Sequence, residues 1–165
     1  MNLEQLVTSL ELSKKLKELG VKQKSLFYWF QFRNESSPKE QWKNVYSMLC
    51  RSAEKKKYKE REYLKDLEFF SAFTAAELSI LMPLSYIKND VHYFIQTTAG
   101  ISHGKLVTTC ESHFYLNEND CIAIVGDDFD GEGNEANARA LMLIFLIENK
   151  LIEKGLIKND NDNND

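Results

Sequence analysis

The sequence predicts an α+β fold: a small, mainly antiparallel sheet packed by N- and C-terminal helices, with a long charged helix inserted. Three patterns carry that prediction. Apolar residues recur at helical spacing behind helix-start signals, strand-like runs separated by turn residues fill 91 to 125, and the charged run "EKKKYKERE" interrupts an amphipathic stripe.

Taken in order, Thr8 and Glu11 have the reciprocal spacing of a capping box, so the first helix is expected to start at Thr8 and to end where Gly20 turns left-handed. Leu12, Leu16 and Leu19 share a face, and Leu3, Leu6, Val7 and Leu10 form either a separate helical turn or a backward extension. Leu26 to Phe32, "LFYWFQF", lacks a clear polar face, which predicts a strand covered on both sides. Ser37 and Glu40 bracket Pro38 in a second capping box, followed by the stripe Trp42, Val45, Tyr46, Leu49 and Ala53. An unbroken helix from there to Leu67 would reach about 45 Å, longer than a small domain is wide. This 37–67 arm is expected to bend, project or pack on another chain.

Thr74 with Glu77 opens a short helix that Pro83 stops. Beyond it "VHYFIQTT" reads as a strand, "AGISHG" as a turn, "KLVTT" as a weaker strand, and "HFYL" with "CIAIV" as a hairpin closed by Asn117 to Asp120. The Leu26 strand is expected to join this meander in one sheet. A last helix runs from about Glu135 to Lys150, and its centre "LMLIFLI" is apolar around its circumference, hence buried on several sides or shared with a partner. Residues 1–157 are expected to form a single domain, and "KNDNDNND", 158–165, a disordered acidic tail.

A chain of 165 residues, 43% apolar, suffices for one core. Its longest apolar run, Leu141 to Ile147, falls far short of the roughly 20 residues that span a bilayer. The N-terminus lacks a secretory pattern, and Cys50, Cys110 and Cys121 form no Cys-x-x-Cys pair, so reduced thiols and a cytoplasmic location without membrane contact are expected. The net charge of -4 conceals an asymmetry: residues 1 to 65 carry 15 Lys+Arg against 8 Asp+Glu, and 66 to 165 carry 6 against 17. Such a split marks a polyanion-binding face, an acidic mimic of one, or two regions that attract each other.

Three segments in order, "SLELSKKLKELGVKQKSLFYW", "FSAFTAAELSILMP" and "NEANARALMLIFLIENKLI", resemble a family of short, uncharacterised proteins from Bacteroidota phages and prophages. The likeness covers roughly a third of the chain, and the ordered trio is more specific than any member alone. Relative to shorter relatives, the 37–67 segment looks like an insertion. The family offers no catalytic residues to carry over. It implies an accessory role in the host bacterial cell, directed at host machinery or defence.

The segment "GVKQKSLFYW" also looks like the turn and second helix of a MerR-like regulator, with Lys14, Lys15, Lys17, Lys22 and Lys24 placed to neutralise phosphates. However, the stretch between Leu12 and Gly20 is a turn too long, and "LFYWFQF" offers almost no polar face to base edges. The buried strand is the preferred reading. Lys55, Lys56, Lys57, Lys59 and Arg61 surround Tyr58 and could track nucleic acid or grip an acidic protein; the bland alternative is a solvated helix face paired with Glu54, Glu60 and Glu62. Trp42 on the same arm is a candidate interface anchor, whereas Trp29 suits a core.

Asp128, Asp130, Glu132 and Gly133 fit the first half of an EF-hand loop, but Arg139 stands where the bidentate carboxylate belongs, so the 127–135 stretch is read as a helix-capping loop. His92, His103, Cys110, His113 and Cys121 are the only soft-metal or nucleophile set, and Cys110 and His113 fall on opposite strand faces unless a bulge intervenes near Ser112. No zinc, nucleophile-elbow or phosphate-loop motif is present, and no cofactor is implied. The expected function is a non-enzymatic phage or prophage accessory protein that binds a host protein or other macromolecule through Trp42, Lys55, Lys56, Lys57 and Arg61, with homo-oligomer formation left open. A small-molecule or nucleotide-signal binder with a pocket between sheet and helices is the alternative, and a DNA-binding regulator the third.

Overall fold

The computed structural model describes residues 3–32, 48–61, 67–102, 105–115, 123–130 and 133–152. The aromatic run is the centre of its first half. Phe27–Phe32 (β1) pairs antiparallel with Met48–Arg51 (β2) on one side and Leu67–Ala72 (β3) on the other. Trp29 joins Val7, Phe70 and Ala72 on one face, and Tyr28 and Phe30 join Cys50 on the opposite one. Alternating side chains are thus buried both ways, as the missing polar face predicts. After a 3-10 turn at Leu3–Leu6, Val7 and the helix Leu10–Glu18 (α1) cover the Trp29 face; Ser52–Lys59 (α2) covers the other, with the Tyr58 and Phe30 rings 5.3 Å apart.

This arrangement corrects the expected long helix. Met48–Arg51 is a strand, and the helix that follows it ends at Lys59. Leu49 and Cys50 supply one apolar side chain to each face of β1, and ladder pairing with the aromatic strand overrides helical spacing there. The expected start at Ser37 and the anchor Trp42 lie outside the described residues.

α1 is capped by Ser9, whose hydroxyl accepts from Leu12 N–H, one residue later than expected, and Gly20 ends it at φ 87 as predicted. Thr8 is fully buried and does different work: its Oγ1 accepts from Phe73 N–H at 3.0 Å and bonds Ser13 Oγ at 2.8 Å. Outward groups of β3 are also occupied, since Ser71 N–H donates to Gln23 Oε1 and Lys17 Nζ donates to the Phe69 carbonyl.

Ala75–Leu81 (α3) carries the predicted capping box: Thr74 Oγ1 accepts from Glu77 N–H, and Glu77 returns a carboxylate oxygen to Thr74 N–H. The same carboxylate accepts from Ser25 Oγ and Leu26 N–H, which fixes the entry to β1.

The meander forms its own sheet rather than joining β1. Ser85–Lys88 (β4), Val91–Ser102 (β5), Lys105–Tyr115 (β6) and Ala123–Asp130 (β7) run antiparallel in sequence order. Asn89 and Asp90, both at positive φ, close the tight β4–β5 turn. "AGIS" extends β5 instead of turning, and "KLVTT" and "HFY" belong to one strand. Glu135–Glu148 (α4) packs on this sheet and on α1 and α3, with Met142, Leu143, Ile144, Leu146 and Ile147 all buried as its apolar circumference predicts. Asn134 caps it: Oδ1 accepts from Ala136 and Asn137 N–H while Nδ2 donates to the Val7 carbonyl. Among the described residues no helix is long and apolar enough to cross a membrane.

Candidate functional site

The sequence of α2, "SAEKKKYK", divides by helical spacing into an inward pair and an outward set. Lys55 and Tyr58 turn towards the sheet, and the Lys55 ammonium stands 3.5 Å from the Tyr28 ring centroid and 5.7 Å from that of Phe69. Ring faces are electronegative, which suits a cation. Burial, reinforced by neighbouring Lys59, nevertheless lowers the Lys55 pKa to about 8. Lys56, Lys57, Lys59 and Arg61 are exposed on the outer side. Of the candidate partner residues, Lys55 therefore anchors the helix while Lys56, Lys57 and Arg61 face solvent. Cys50 lies beneath this helix, and burial pushes its thiol up to about 11.

On the opposite face of the same sheet, α1 and the strands enclose an open groove of about 440 Å³. Gln31, Glu68 and Phe70 form its floor, and Lys14, Lys17 and Glu18 of α1 its wall. Lys17 is bound to Glu68 at 2.9 Å, with its ammonium 4.6 Å from the Phe70 centroid. The Lys14 ammonium lies 5.4 Å from that centroid and has no carboxylate partner among the described residues. Gln31 is only 8% exposed, yet its carboxamide has no hydrogen-bond partner among the described residues.

A third constellation lies across β5 and β6. Thr98 and Thr109, cross-strand partners, both donate to Glu111 Oε1, which brings their hydroxyl oxygens to 2.8 Å from each other. His113 Nε2 lies 3.0 Å from Glu111 Oε2. The Thr109 hydroxyl, above all, holds the Glu111 carboxyl below its usual pKa. An ionised carboxylate only accepts, so Nε2 is the donor in this pair, while Nδ1 is buried without a partner among the described residues. This is an oriented carboxylate–imidazole pair, but the nearby hydroxyls serve Glu111 and not the free ring nitrogen.

The register shift beside Ser112 adds its extra residue to β7, between Val125 and Asp128, so β6 keeps strict alternation. Cys110 and His113 accordingly lie on opposite faces, with Cys110 buried at Thr97 and its thiol raised by burial. His92 bonds Ser85 Oγ at 2.9 Å and lies against Phe94. His103 and Cys121 are outside the described residues, as is Glu132; β7 continues through Asp130, so Asp128 and Asp130 belong to a strand rather than a loop. Among the described residues no three His, Cys, Asp or Glu side chains converge to hold a metal ion.

Sequence reasoning passed over Gln31, Glu111, Thr98 and Thr109. Period-two alternation along "TTCESH" already places Thr109, Glu111 and His113 on one face, which was the available signal. Nothing in "LFYWFQF" marks Gln31 as lacking a partner. No family model, curated protein or solved structure matches this chain.

Proposed function

We propose that this is a non-enzymatic phage or prophage accessory protein that works in the bacterial host cytoplasm by binding an acidic host protein. The observation that supports this most is the division of labour on α2: Lys55 is held over Tyr28, and the helix it anchors presents Lys56, Lys57 and Lys59 outward. A protein partner fits better than nucleic acid because residues 66 to 165 carry 17 Asp+Glu against 6 Lys+Arg, which repels a long polyanion extending past α2.

The test is site-specific photo-crosslinking in host cells from a benzophenone amino acid at Glu60, in the parent chain and in K56E/K57E/K59E. Reversing these exposed charges is expected to leave the melting temperature within about 2 °C, since surface changes rarely exceed about 0.5 kcal/mol. The expected result is a discrete protein adduct in the parent chain that disappears in the variant. The same adduct in both would remove α2 as the working surface.

A further inference from the structure

We propose that the groove between α1 and the three-stranded sheet binds a purine nucleoside monophosphate, with the phosphate at Lys14 and the base edge against Gln31 and Glu18. This goes beyond the macromolecular surface on α2 and rests on separate residues. Three observations carry it. The first is Gln31, whose carboxamide lines the groove with no protein partner among the described residues, so its donor and acceptor are left to solvent or to a ligand. It presents one donor and one acceptor side by side, the pattern that pairs with a purine edge.

The second observation is charge. Lys17 is already neutralised by Glu68, whereas Lys14, on the same wall, has no carboxylate partner among the described residues and is available to an anion. Glu18, one helical turn beyond Lys14, lines the same groove and supplies an acceptor for an exocyclic amine or ring N–H. A ligand that meets all three is anionic at one end and rich in donors and acceptors at the other. The third observation is size: about 440 Å³ falls within the range of small-ligand pockets and exceeds what inorganic phosphate fills.

Thermal unfolding of the whole chain with guanosine and adenosine 5′-monophosphate, the parent nucleosides and inorganic phosphate tests this. At about 100-fold excess over Kd, one of the nucleotides is expected to raise the melting temperature by about 5 °C or more. The nucleosides and phosphate should give much smaller shifts. Lys14→Gln and Gln31→Leu should each weaken that nucleotide about tenfold by calorimetric titration. If Gln31→Leu loses its cooperative melt, Lys14→Gln at the groove rim carries the test alone. Equal stabilisation by phosphate, no stabilisation by either nucleotide, or unchanged affinity in Lys14→Gln overturns the proposal. A lost α2 adduct leaves this result untouched, so the two surfaces are tested separately.

Discussion

Trp29 donates its indole N–H to the backbone carbonyl of Thr8 over 2.7 Å, tying the middle of β1 to the residue where the N-terminal segment enters the core. Thr8 also accepts from Phe73 N–H and bonds Ser13, so one residue connects β1, α1 and the end of β3. Thr8→Val keeps the side-chain shape and removes the hydroxyl, leaving a buried amide and a buried serine unpaired. The expected loss is about 2 kcal/mol, measured by urea denaturation followed by tryptophan fluorescence. An unchanged midpoint would mean that water reaches these groups.

How much of this was legible depended on whether local chemistry or distant pairing decides each segment. Thr74 with Glu77, Gly20, and the apolar circle around Leu143 are local signals, and each element appears where those residues put it. Leu49 misled because its helical spacing from Trp42 and Ala53 coexists with the need of β1 for a neighbouring strand, and only the folded chain decides between them. "LEFFSA" and "SYIK" were overlooked as strands for the same reason: they are short, and their partners Phe27–Phe32 and Val91–Phe94 define them. On α2 the basic run was visible, but not that Lys55 alone turns inward over Tyr28.

Lys55 gives a pH dependence with a definite sign. Its folded pKa of about 8 lies below the ordinary 10.5, so the unfolded chain binds more protons between those values and stability rises with pH there. Below about pH 8 the ammonium is charged in both states, and the folded chain bears the full cost of its burial. Relative to Lys55→Met, the parent protein is therefore expected to gain stability from pH 8 to 10.5, with the Lys55 Nζ titrating near pH 8 by heteronuclear NMR. A Lys55 midpoint near 10.5 would contradict this.

Glu111 acts at the other end of the scale. Its depressed carboxyl pKa contributes stability above the ordinary 4.5, and that contribution disappears as pH falls through the folded value. Glu111→Gln should lower the melting temperature at neutral pH and flatten its decline as pH falls below the ordinary 4.5. Parallel parent and variant curves across that window would show that the threonine hydroxyls do not favour the ionised form.

Asn134 and Asn137 bond Val7 and Ser9 across 127 and 128 positions of sequence. On a ribosome adding about 5–20 residues per second, roughly 6 to 25 s separate the synthesis of these partners. Throughout that interval the strand ladder around Trp29 can assemble, but the carbonyl of Val7 and the amide of Ser9 have only water or a chaperone to bind. The seam between the first residues and α4 thus closes only once α4 has been made, and a product released before Asn134 would keep it open.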